Sequence, residues 1–156
     1  MEHIVFMKEA FAEAQKAYKI GEVPIGCVIV HEEEIIGRGF NRRATAKNVL
    51  CHAEIIAIDQ ACESLKDWRL ENCRLYVTVE PCAMCAGAIL QARIPILVYG
   101  AKSPKAGCAG SIFNLLDEPR FNHRAEIVAG IYEDACAELM KSFFSEFRLL
   151  QQLDEP

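Results

Sequence analysis

The sequence predicts an α/β fold of three layers, with helices covering both faces of a five-stranded mixed sheet. Three observations predict it: β-rich runs alternate with helix-period segments, two of those runs form a hairpin, and 52% of the 156 residues are hydrophobic. This length suffices for one well-covered core and falls short of two ordinary domains, so a single domain over 1–156 is expected.

Ile4, Met7, Phe11, Ala14 and Tyr18 recur at helical spacing, and Gly21 with Pro24 closes that opening helix. The segment "VPIGCVIVHEEEIIGRGFN" carries two β-rich runs separated by Glu32 to Glu34, which reads as a hairpin. His52 to Leu65 returns to helical spacing through Ile55, Ile58 and Cys62. In "RLYVTVE", Leu75, Val77 and Val79 alternate with Tyr76, Thr78 and Glu80, the pattern of a strand that ends at Pro81. Proline suits a first turn and "CAMCAGAILQA" holds strong helix formers, so a helix is expected from there. "PILVYG" is a short apolar strand, followed by the Gly, Pro and Ser-bearing loop "AKSPKAGCAGS". "AEIVAGI" supplies the last strand and "YEDACAELMKSFFSEFRLLQQL" the last helix, on which Phe143, Phe144 and Phe147 fit one core-facing stripe.

The formal net charge of -5 gives no global attraction to phosphate, so a nucleic-acid partner needs a local basic patch. The start, "MEHIVFMKEAFAEAQKAYKI", has charges throughout and no apolar export signal. Charges also interrupt every apolar run before the roughly 20 residues that span a bilayer. A cytoplasmic protein with no membrane association is expected. Its eight cysteines then read as reduced thiols, some of them metal ligands, rather than as a disulfide framework. Cys27, Cys62 and Cys136 fit apolar patterns as buried small hydrophobes, while His3 and His31 read as solvated.

Cys82 and Cys85 form a Cys-x-x-Cys pair at a helix start, where both sulfurs reach one cation and the free amides of the turn favour thiolate. The pair alone is ambiguous, because redox proteins use the same spacing. His52 completes a three-ligand set with a fourth position left for water, the pattern of a catalytic zinc site. Glu54, two residues on, points elsewhere in a helical first turn, from where a carboxylate can carry a proton from water to a leaving group. Cys51 is the residue that would close the set into an inert staple. Adjacent helical side chains diverge by about 100°, so that closure needs a distorted turn.

His52-Ala53-Glu54 followed by Pro81-Cys82-Ala83-Met84-Cys85 is the H-x-E and P-C-x-x-C signature of zinc nucleobase deaminases. With "EVPIGCVIV", "HAEIIAI", "RLENCRLYVTVEPCAMCAGAI", "RIPILVYGAKSPKAG" and "FNHRAEIVAGI", the chain from about Glu22 to Arg148 resembles the bacterial tRNA-specific adenosine deaminases. That resemblance implies a cytidine deaminase-like fold and conversion of adenosine to inosine at the anticodon wobble position of tRNA. It also implies one Zn2+ per subunit and a homodimer with sites near the subunit interface. It assigns His52, Cys82 and Cys85 to the zinc, Glu54 to proton transfer, and Asn41 to reading the target base, with backbone amides of Ala53 and Cys82 near the reacting centre. On its residue type alone, Asn41 reads as a turn residue after a strand.

Lys105, Asn122, His123, Phe144 and Arg148 match positions along the RNA-binding face of the resembled family, where an aromatic ring packs under a splayed nucleotide. Without the resemblance, Lys102, Lys105, Arg120 and Arg124 read as ordinary solvated charge. Ser103 and Val49-Leu50-Cys51 depart from the family pattern, which usually has aspartate and Pro-Thr-Ala there. Two other functions stay open. One is a deaminase of a free nucleobase or nucleoside such as guanine, cytosine or cytidine, which shares the zinc set and needs no basic face. The other is a noncatalytic zinc-stabilised RNA-binding module, against which Glu54 argues, because a carboxylate beside an open metal position has little structural use.

Overall fold

The computed structural model describes residues 2–154; Met1, Glu155 and Pro156, the ends of the expected domain, lie outside the described residues. Glu32 and Glu33 both take positive φ, 50° and 63°, the two-residue turn that suits the twist of paired strands. They join β1 (Gly26–His31) to β2 (Glu34–Phe40), so the hairpin is present, with an irregular register between Ile29 and Val30. On its other edge β1 pairs antiparallel with β3 (Cys73–Val79). β3 pairs parallel with β4 (Ile96–Ala101), and β4 parallel with β5 (Glu126–Ala129). The order β2-β1-β3-β4-β5 is the expected five-stranded mixed sheet.

The helices α1 (Glu2–Lys19), α2 (Ala53–Leu65), α3 (Ala83–Gln91) and α4 (Glu133–Asp154) make the outer layers. On one face, Ala53, Ala57 and Ala61 of α2 and Ala86 and Ile89 of α3 pack with Ile29, Val77 and Leu97. On the other, Met7 and Ala10 of α1 pack with Val28, Tyr76 and Val98, and α4 lies along β4 and β3. This coverage explains why Tyr76, Thr78 and Glu80 are as buried as their alternating partners: the central strand has no solvent face. Two glycines set the height of α2. A Cβ on Gly37 or Gly39 would stand 2.3 Å from the carbonyl oxygens of Ala57 and Ala53 respectively, so the helix rests on the backbone of β2.

Three expectations need correction. α3 begins at Ala83, and Pro81 belongs to the extended approach rather than to the first turn. The aromatic stripe of α4 is mostly not core: Phe143 is 8% exposed, Phe144 40% and Phe147 48%. Adjacent helical residues diverge by about 100°, so Phe144 turns away from the face that buries Phe143, while Phe147 stacks one turn beyond Phe143 towards the outer end of the helix. His3 and His31 are half-buried rather than solvated, His3 with Nδ1 2.8 Å from the Tyr76 hydroxyl. Cys27 and Cys136 are buried as expected, and the half-buried Cys62 points its thiol at the Trp68 carbonyl, 3.8 Å away. Among the described residues, no helix is long and apolar enough to cross a membrane.

Candidate active site

His52 and Cys82 are the extended residues that immediately precede α2 and α3, and Cys85 stands in the first turn of α3. The first N–H groups of each helix lack intrahelical acceptors, so two positive helix ends point donors at one place. His52 Nδ1 lies 3.6 Å from Cys82 Sγ and 3.5 Å from Cys85 Sγ, and the three ligand atoms fall within 4.8 Å of one another. Ordinary zinc–nitrogen and zinc–sulfur bonds in tetrahedral geometry separate such atoms by about 3.6 Å, so this donor set fits the ion. The hydrogen bond from Cys85, helped by first-turn amides and opposed by burial, holds the Cys82 thiol down at about 5. A ligand thiol must be deprotonated, and Cys82 is held ready for it. The same bond, followed by burial, pushes Cys85 up.

Glu54, in the first turn of α2, is 4% exposed. Burial pushes its carboxyl up to about 7, against a hydrogen bond with Cys85. The carboxyl stands beside the three ligands without joining their group. Cys51 is not in the group either; its N–H donates to Asn48 O at 3.1 Å and its carbonyl accepts from the Arg42 N–H at 3.0 Å.

Asn41, His52, Ala53, Glu54 and Cys82 line a single cleft. Asn41 is both the expected turn residue and part of the cleft wall. Its Nδ2 donates to Val23 O at 3.2 Å and its Oδ1 accepts the Arg43 N–H at 3.2 Å, which leaves one amide hydrogen and one lone pair for another partner. Ser103 and Ala106, which follow β4, line the other side of the cleft, and Arg43, Glu80 and Met140 of α4 are among the remaining lining residues.

Sequence reasoning missed two buried carboxylates that hold the walls. Glu22 accepts the N–H and hydroxyl of Thr45, both at 2.6 Å, and the Ala44 N–H at 3.4 Å, fixing the segment between β2 and α2. Burial alone would raise its pKa, but these hydrogen bonds outweigh it and hold the carboxyl below its usual range. Glu80 accepts N–H groups of Ser103 (3.1 Å), Ala109 (3.0 Å) and Ser111 (3.0 Å), together with the Ser111 hydroxyl. No local pattern marks either residue, because each accepts its hydrogen bonds from a segment more than 20 residues away.

The residues matched to an RNA face lie outside the cleft. Lys105 is exposed on the rim beside Ala106. Asn122 and His123 line a separate hollow with Gln91 and Arg93, and His123 Nε2 is 2.8 Å from the Ile94 carbonyl. Phe144 and Arg148 follow Met140 at one-turn intervals, so the helix face that closes the cleft continues outward through them. Arg148 Nε donates to Phe144 O at 3.3 Å. Of the basic residues read as solvated charge, Arg120 pairs with Glu118, and Arg124 with Asp117 at 3.4 Å.

Comparison with known proteins follows the same lines. Residues 1–148 match the model of the MafB19-like deaminase family. The chain is 51% identical over 144 residues to a tRNA-specific adenosine deaminase of Bacillus subtilis, covering 92% of this chain and 89% of that protein. Its fold resembles a solved structure from studies of A-to-I editing by tRNA:A34 deaminases at the wobble position of transfer RNA. The TM-score there is 0.83, with 43% identity, 86% of this chain and 97% of the other being covered. A guanine deaminase structure from Bacillus subtilis matches less of it, with a TM-score of 0.62 and 39% identity over 65% of this chain and 66% of that one. The three layers are those of the cytidine deaminase-like fold. The chain belongs to the tRNA-specific adenosine deaminase family, among the MafB19-like deaminases.

Proposed function

We infer that this protein converts adenosine to inosine in tRNA by hydrolytic deamination, at the wobble position of the anticodon. The observation that carries the reading is Glu54, a buried carboxyl beside the His52, Cys82 and Cys85 donor set yet outside it, on the floor of a cleft. His52, Cys82 and Cys85 would hold one Zn2+, which when bound would supply the Lewis acidity that makes water nucleophilic near neutral pH. Glu54 takes a proton from the attacking water and delivers it to the departing amine. The water oxygen stays on the purine carbon and nitrogen leaves as ammonia. Asn41 offers its remaining donor and acceptor to the base edge, and the first-turn N–H of Ala53 helps orient the base.

Beyond the cleft, Lys105 and Arg148 meet phosphate, Phe144 offers a stacking surface, and Asn122 and His123 contribute polar contacts to the anticodon stem-loop. The reading includes a single domain over 1–156, a homodimer, tRNA as partner, and a cytoplasmic setting. Its test is inosine formation in an RNA anticodon stem-loop with adenosine at the wobble position. The expected result is inosine with zinc-loaded native protein and none with Glu54→Ala. Ammonia release from free guanine or a nucleoside, with the stem-loop untouched, would replace it with a free-base deaminase. Bound zinc with no ammonia from any nucleobase substrate would leave a noncatalytic module.

A further inference from the structure

Glu80 is the residue in the cleft with the most elaborate surroundings and no part in the chemistry above. It follows β3 directly and is 3% exposed, with its N–H donating to Ala101 O at 2.8 Å. Its carboxylate does not turn towards the three ligand residues. Oε1 accepts the Ser103 N–H at 3.1 Å and the Ser111 hydroxyl; Oε2 accepts the N–H groups of Ala109 and Ser111, each at 3.0 Å. Four neutral donors from one loop thus converge on a single buried anion, an arrangement in which backbone dipoles replace a counter-ion.

The loop is wrapped tightly enough that residue type matters at its middle. A Cβ on Gly107 would lie 2.3 to 2.5 Å from the carboxylate atoms of Glu80, so a larger residue there would displace the carboxylate from its donors. Cys108 N–H donates to Pro81 O at 2.8 Å, tying the same loop to the residue before Cys82. Ser103 and Ala106, both on this loop, form the cleft wall across from Asn41.

We propose that Glu80 is a positioning residue for substrate: through Ser103, Ala109 and Ser111 it fixes the far wall of the cleft at the width the target base needs. The proposal rests on the deaminase reading and deepens it. Glu80→Gln keeps size and burial but turns one acceptor oxygen into an N–H2 group that faces N–H donors, so part of the clamp is lost. Ser111→Ala removes only the hydroxyl donor.

The test measures kcat and KM for the stem-loop, zinc per chain, and hydrogen exchange at the Ser103, Ala109 and Ser111 amides in both variants. With Glu80→Gln, KM rises by about tenfold while kcat changes less than about threefold, zinc stays at one per chain, and the three amides exchange faster. Ser111→Ala moves KM and exchange in the same direction by a smaller amount, and it decides the matter alone should Glu80→Gln not fold. Unchanged KM in the variants that fold, or a fall in kcat at constant KM, overturns the proposal. A native protein inactive on the stem-loop would instead overturn the functional reading, and unchanged amide protection in the variants would then overturn the clamp by itself.

Discussion

The cleft floor stands on the starts of α2 and α3, with α2 pressed so closely to the sheet that Gly37 and Gly39 leave no room for a Cβ, whereas Lys105, Asn122, Phe144 and Arg148 stand on exposed loops and the far half of α4. The contrast separates two demands. Proton transfer at a metal needs atoms fixed to fractions of an ångström, which backbone packing supplies. Gripping a large, flexible nucleic acid needs area and charge, which separate exposed side chains supply, each with a modest share. Changes at the floor should therefore be large and nearly all-or-none, and changes outside it graded.

The largest effect is expected at Glu54. Replacing it with Ala removes the group that moves protons, so single-turnover deamination should fall by about 10²- to 10⁴-fold while zinc content stays unchanged. Equal losses of rate and zinc would mean that Glu54 belongs to the ligand set after all. Gly39→Val strikes the floor from beneath: it forces α2 off β2, and unfolding in denaturant should show a loss of about 1–3 kcal/mol together with reduced zinc per chain. An outer-face change should do the reverse. Phe144→Ala should leave the denaturation midpoint in place, because the ring is 40% exposed, and weaken stem-loop binding by about 1–3 kcal/mol if a base stacks on it. Lost stability with intact binding would make Phe144 part of the core, which would dissolve the comparison.

The contrast also governs what could be read from sequence. The grouping of His52, Cys82 and Cys85, with Glu54 beside them, was legible because a donor set at two helix starts needs fixed residue types at fixed spacing, and local rules place them. The alternation of strands and helices gave the layers for the same reason. Glu80 was unreadable because its role depends on a loop some 23 to 31 residues away folding back onto it, which no local pattern encodes. Met140 entered the cleft by the same kind of long-range packing. The aromatic stripe of α4 misled because Phe143 and Phe144, being adjacent, diverge by about 100° around the helix, and periodicity alone does not say which of the two meets the sheet.

Glu22 offers a finer test of how the walls are held. Its hydrogen bonds from Thr45 and Ala44 keep the folded carboxyl below its ordinary 4.5, so their stabilisation is present in full above that value and is lost as pH falls through the lower folded one. Native protein should thus melt above Glu22→Gln at pH 7, with the gap narrowing below about pH 4.5. A gap independent of pH would assign the difference to packing rather than to the anion.

The smallest effect is the most discriminating. Cys51 adjoins His52 in sequence and carries a metal-competent thiol, so chemistry alone would admit it to the site. Geometry argues otherwise: its backbone is engaged by Asn48 and Arg42 in the segment before α2, and the ligand group consists of His52, Cys82 and Cys85. Cys51→Ala should retain one zinc per chain and native turnover, whereas Cys85→Ala should lose both. Were Cys51→Ala to lose the metal, the ion would have four protein ligands and no open position, Glu54 would have no water to deprotonate, and the floor of the cleft would be a staple instead of a reaction centre.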